Sequence, residues 1–132
     1  MHQGHLKMNI SDTIHRRLLL FQKNEITEYH IYKKLASRTK LSENKRVLDD
    51  IASDELRHYQ VWQSHTQQVI TPDKWKIWRY FWISRIFGLT CGVKFMEKGE
   101  ENAQDNYQQL FEIIPEAETI MHDENQHESA LL

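Results

Sequence analysis

Two short stretches hold residues whose types and spacing suit metal chemistry. Asp54-Glu55-Leu56-Arg57-His58 sets a glutamate and a histidine three residues apart, and Asp123 to His127 repeats the figure with Glu124 and His127. In a helix, residues three apart leave the same face about one turn from each other. The apolar stripe around the first pair runs Leu48, Ile51, then Trp62, with Glu55 and His58 between. Around the second it runs Ala117, Ile120, then Leu131, with Glu124 and His127 between. Steps of three and four mark the buried seam of a helix. An ionisable group in such a seam is costly unless something compensates it. Two intrusions of one shape predict a shared partner, and a pair of metal ions is the natural candidate.

Two further seams carry carboxylates. One runs Ile14, Leu18, Phe21, Tyr32, Leu35, interrupted by Glu25 and Glu28. The other runs Ile86, Leu89, Val93, Met96, Ala103, Tyr107, Leu110, interrupted by Glu100. Glu25, Tyr32 and Leu35 have the mutual spacing of Glu100, Tyr107 and Leu110, and Ile51, Asp54, Glu55 and His58 have that of Ile120, Asp123, Glu124 and His127. The chain therefore repeats one design, a helical hairpin giving Glu from one helix and Glu-x-x-His from the next. Packed with seams inward, the two hairpins bring four glutamates and two histidines to one dry centre, the ligand pattern of di-iron and di-manganese carboxylate bundles. Four carboxylates cancel the charge of two divalent ions, and mixed carboxylate and imidazole donors suit iron or manganese, with zinc as a substitute. The predicted ligands are Glu25, Glu55, His58, Glu100, Glu124 and His127. By the hairpin symmetry Glu55 and Glu124 are the bridging, catalytic pair.

The elements that must position these residues follow from composition and punctuation. A chain of 132 residues with 27% charged and 39% hydrophobic residues, four glycines and two prolines suits one all-α domain. Residues 1–10 are expected to be a flexible tail, with Ser11 or Asp12 capping the first helix. Ser42 is expected to cap a second helix that ends near Gln68. In Thr71-Pro72-Asp73, Thr71 is the predicted cap, Pro72 the first helical residue and Asp73 a charge suited to the helix start. A Trp-rich crossover follows over about 70–88, with Trp75, Trp78, Tyr80, Phe81 and Trp82 among basic residues. It suits packing against the bundle or a dimer interface, or alternatively a membrane-surface helix. Gly88 weakens it, and Pro115 starts the last helix.

A net charge of −2 gives no broad pull toward nucleic acid. Cys91 is the only cysteine, so no disulfide forms within the chain, as expected in the cytoplasm. No run of about 18 apolar residues is present to span a bilayer.

The stretches FQKNEITEYHIYKKLA (21–36), IASDELRHYQVW (51–62), MEKGEENAQDNY (96–107) and DENQHE (123–128) resemble the helices of rubrerythrins. FGLTCGVKFMEKGEE and IIPEAE are similar to the rubrerythrin-like domains that precede vacuolar-iron-transporter-type membrane domains. The resemblance spans about residues 12–131. It implies a ferritin-like four-helix bundle with a crossover, filling residues 11–132, that holds two irons and assembles as a dimer or larger oligomer. It implies oxidation of Fe(II) by O2 or peroxide, or alternatively an iron-binding regulatory or delivery module of a membrane iron transporter. The family has a further glutamate one turn after the third-helix ligand. Ala103 stands there in this chain, which leaves Glu28 or Glu97 as the additional ligand and weakens the expectation of peroxide chemistry.

Overall fold

The computed structural model describes residues 2–88, 114 and 116–131, with side chains between residues 12 and 127 of that set. Among the described residues the chain is all-α, with four helices and no strand: α1 (His2–Arg38), α2 (Ser42–Thr66), α3 (Lys74–Phe87) and α4 (Glu116–Leu131). None of them is long and apolar enough to cross a membrane.

Helices α1 and α2 form an antiparallel hairpin: Lys33 meets Asp49 near the turn, and Gln22 meets Thr66 at the far end. The predicted seams are the buried faces. Leu18, Phe21, Glu25, Glu28, Tyr32 and Leu35 are buried on α1, and Leu48, Ile51, Glu55, His58 and Trp62 on α2. Two apolar clusters result. One gathers Ile31, Tyr32, Leu35, Leu48 and Ile51 with Tyr80 and Phe81 of α3. The other gathers Leu18, Phe21 and Trp62 with Ile114, Ala117 and Ile120 at the start of α4. On each seam the glutamates lie between the residues of these two clusters, so the polar groups occupy a layer closed by apolar side chains above and below.

The helix ends differ from expectation in three places. Helix α1 runs back to His2, so the segment expected to be a tail is helical and Ser11 and Asp12 lie inside the helix. Extending an existing helix adds a hydrogen bond for each residue ordered, and this segment contains no proline to stop it. Helix α2 begins at Ser42 behind Leu41, which makes no side-chain cap, and ends at Thr66 because Gln67 turns left-handed with φ 58°. Helix α3 begins after Pro72: Asp73 is the cap, its Oδ1 accepting from Lys76 N at 3.1 Å. The Asp73 N–H donates to Thr27 Oγ1 at 3.0 Å, which ties the start of α3 to α1 and leaves Thr71 no capping role.

The Trp-rich segment is a helix, as expected, packed on α1 through Ile77, Tyr80 and Phe81. Ile86, expected to open the third bundle seam, instead lies exposed in the last turn of α3. Gly88 follows with φ 96°, where an L-residue is strained. The rest of that seam, with Glu97, Glu100, Ala103 and Tyr107, lies outside the described residues.

Candidate metal centre

Glu25 from α1, Glu55 and His58 from α2, and Glu124 from α4 converge. One ligand atom of each lies within 4.8 Å of the others. His58 Nδ1 is 3.5 Å from Glu25 Oε2, 3.4 Å from Glu124 Oε1 and 3.9 Å from Glu55 Oε1. His127 enters from α4 on the other side, its Nδ1 3.1 Å from Glu55 Oε1 and 3.9 Å from Glu124 Oε2. The two imidazole rings lie nearly parallel, 6.2 Å apart between centroids with 23° between their planes. Five of the six predicted ligands therefore meet in one place, and Glu100 is outside the described residues. Glu28, the candidate additional ligand, is buried one turn from Glu25 and near enough to Glu55 to act on its charge.

The separations suit an ion better than hydrogen bonds. Glu25 Oε2, both Glu55 oxygens, His58 Nδ1 and His127 Nδ1 are shut off from solvent, and none makes a well-directed hydrogen bond, although neighbouring donors and acceptors stand close enough to influence one another's charge. Native interiors rarely leave buried polar atoms in that condition. Ligand bonds of about 2.1 Å to a divalent ion put neighbouring donor atoms about 3.0 Å apart at the edge of an octahedron and 3.4 Å at that of a tetrahedron. The N···O distances of 3.1 to 3.9 Å span the tetrahedral edge and all lie somewhat above the octahedral one. The donors and their orphaned atoms therefore fit a divalent cation.

The outer nitrogens are held by a crossed pair of aspartates. His58 Nε2 is 2.9 Å from Asp123 Oδ2, and His127 Nε2 is 2.8 Å from Asp54 Oδ2. Each Asp-Glu-x-x-His motif thus supplies the aspartate that orients the histidine of the other. Arg57 Nη2 joins both aspartates, 2.9 Å from Asp54 Oδ1 and 2.9 Å from Asp123 Oδ2. In the neutral ring that a cation requires, a carboxylate accepting from Nε2–H fixes the tautomer that leaves the Nδ1 lone pair facing inward. Sequence reasoning missed Asp54, Asp123 and Arg57 as parts of the site. The available signal was the aspartate preceding both glutamates at equal spacing.

Electrostatics describe a centre that lacks positive charge. Burial, followed by the charges of Glu25, Glu124 and Glu28, holds the Glu55 carboxyl well above its ordinary 4.5. For His58, burial alone would favour the neutral ring. Glu124, Glu25 and Asp123 outweigh it and push its pKa from 6.5 up to about 11. Burial opposes the charge of Asp123 too, but His58 and Arg57 hold it below 3.8. Metal-free, the cluster retains protons that a cation would replace.

Asp54→Asn and Asp123→Asn, each leaving the inner donors in place, are expected to weaken binding of a divalent cation about 10- to 100-fold. Competition with a chromophoric chelator measures this. Equal affinity in both variants would mean that the aspartates do not orient the histidines.

Comparison of the chain with protein-family models, with curated proteins and with solved structures finds no match. What the centre does must be read from its own atoms.

Proposed function

We propose that this chain is a di-iron carboxylate protein of ferritin-like, rubrerythrin-like architecture whose substrate is Fe(II), oxidised by O2 or peroxide in iron handling or oxidant defence. The observation that carries the reading is the set of five solvent-free, unbonded donor atoms from Glu25, Glu55, His58 and His127, backed by the crossed aspartates. Glu55 and Glu124 each face both imidazoles, which supports placing them between two ions, with Glu25 and His58 on one and His127 on the other. Glu100, by its spacing to Tyr107 and Leu110, is the proposed counterpart of Glu25. Iron held there would supply reversible one-electron chemistry toward an oxidant.

The chain's own groups have defined tasks. The apolar layers of Ile31, Tyr32 and Ile51 on one side and Phe21, Trp62 and Ile120 on the other exclude water. Asp54 and Asp123 hold the imidazoles in register. Glu55, whose carboxyl keeps its proton more readily than an exposed one, can take up or release a proton as charge at the centre changes.

Anaerobic loading followed by oxygen addition tests the proposal. Binding of two Fe(II) per chain and rapid oxidation are expected, with Glu124→Ala and Glu55→Ala each slowing oxidation at least about 100-fold. Unchanged rates in both variants would refute the bridging roles. Tight binding with slow turnover would instead identify a delivery or regulatory module for a membrane iron transporter.

A further inference from the structure

Helix α3 turns an aromatic face outward that the metal centre does not use. Trp75, Trp78 and Trp82 are 66%, 51% and 41% exposed, and Ile86 and Phe87 are more exposed still. Trp75 stacks on Trp78 with centroids 5.1 Å apart, and Trp78 meets Trp82 edge-on at 6.5 Å, so the indoles form one continuous stripe. At 100° per residue, Trp75, Trp78, Trp82 and Ile86 fall within one outward arc, with Lys74 and Arg85 along one margin and Arg79 and Lys76 along the other. Tyr80 and Phe81 point the opposite way, into the core. Exposed indoles are expensive in water, and a run of three is not an accident of scattered surface apolarity.

The charge pattern selects the occupant. Helix α3 carries four basic residues and no acidic one in a chain whose net charge is −2. Two copies apposed through this face would set like charges together around the indoles. An anionic lipid surface supplies what the face lacks, an apolar boundary for the ring bodies, polar groups for the indole N–H and negative charge for the flanking cations.

A cleft of about 180 Å³ adjoins the C-terminal half of α3, lined by Leu35, Arg38, Thr39, Phe81, Ser84 and Arg85. Two guanidinium groups border it, and the buried Ser84 Oγ has no hydrogen-bond partner. Paired guanidinium donors beside a free hydroxyl suit a phosphate group.

We propose that α3 docks this protein on anionic phospholipid membranes, with Trp75, Trp78 and Trp82 at the headgroup level and one lipid phosphate between Arg38 and Arg85. This docking is independent of the metal site's occupancy.

Flotation of the full chain with phosphatidylcholine vesicles, with and without phosphatidylglycerol, tests it. The chain is expected to float with the anionic vesicles at low salt, with a blue shift of tryptophan emission, and to remain at the bottom with neutral ones. The triple variant Trp75→Ser, Trp78→Ser, Trp82→Ser should lose flotation while keeping its helical circular dichroism and the buried emission of Trp62, the remaining tryptophan. Lys74→Glu with Arg79→Glu, and Arg38→Glu with Arg85→Glu, should each weaken vesicle binding by about 25-fold or more, from roughly fivefold for each cation near the surface. No flotation at low salt, equal binding to neutral vesicles, or wild-type self-association that the triple variant abolishes without any lipid binding would each overturn the proposal.

Discussion

Glu55→Gln is expected to weaken divalent-cation binding by about 100-fold or more and, in the same protein, to raise the stability of the metal-free form. The first effect follows from position: Glu55 lies among both imidazoles, Glu25 and Glu124, and both of its oxygens are buried without hydrogen bonds. Losing an outer orienting group already costs about 10- to 100-fold in affinity, and losing a ligand carboxylate should cost at least the upper end. The second effect follows from the same burial. Without a cation, Glu55 is held in a site where burial and then the charges of Glu25, Glu124 and Glu28 disfavour its ionised form. Glutamine keeps the shape and removes the charge, so no cavity opens. A gain on the order of 1–3 kcal/mol near neutral pH is expected, because glutamine removes the cost of holding this carboxyl protonated in the fold when the unfolded chain would ionise it. At roughly 2–8 °C per kcal/mol for chains near this size, the chelator-treated variant should melt several degrees above wild type. Opposite signs in binding and stability separate a site built for a cation from a polar cluster built for structure. A variant that melts lower and binds as before would show that Glu55 serves packing alone.

How much of this centre was legible in the sequence depends on what each residue touches. Glu25, Glu55, His58, Glu124 and His127 were legible because they interrupt apolar stripes of helical period. A polar residue at a seam position is buried in any fold that buries the seam. Asp54, Asp123 and Arg57 were not, because they stand beside the seam and the contacts that reach each histidine run across between α2 and α4; the Asp54–Arg57 pair within α2 looks like an ordinary helix-surface ion pair. Periodicity along one helix says nothing about the residue that a neighbouring helix will bring alongside. The polar lock at the far end of the first hairpin was missed for the same reason. Gln22 donates to Gln68 O at 2.7 Å and accepts from Thr66 Oγ1 at 2.6 Å, although it lies next to the seam residue Phe21. The start of α3 shows the limit of local rules in another way. Thr71 and Asp73 are both competent caps, and the choice fell to Asp73 because Thr27, forty-six positions earlier, holds its N–H.

The metal-free protein should lose stability as pH rises through neutrality, and binding a cation should remove that dependence. His58 has a folded pKa of about 11 against an ordinary 6.5, so the folded state holds a proton that the unfolded chain releases. Its contribution is fully present below 6.5 and is lost progressively as pH climbs toward 11. Glu55 acts in the same direction from lower pH, because its folded pKa is raised above 4.5 and each step upward favours the unfolded, ionised form. Asp123 works oppositely, but its folded pKa lies below 3.8, so its contribution is lost only in acid. Between about pH 7 and 9 the folded state thus retains at least one proton more than the unfolded one, and stability should fall by up to about 1.4 kcal/mol per pH unit for each such proton. A cation at Nδ1 of His58 and on the Glu55 carboxylate must displace those protons. Binding should therefore release protons into an unbuffered solution and tighten as pH rises. Urea unfolding of the chelator-treated chain at pH 6, 7, 8 and 9, beside the metal-loaded chain, measures the slope. A flat metal-free profile would mean that His58 and Glu55 exchange protons with water as freely as exposed groups do. The buried carboxylates would then leave no shortage of positive charge for a metal ion to relieve.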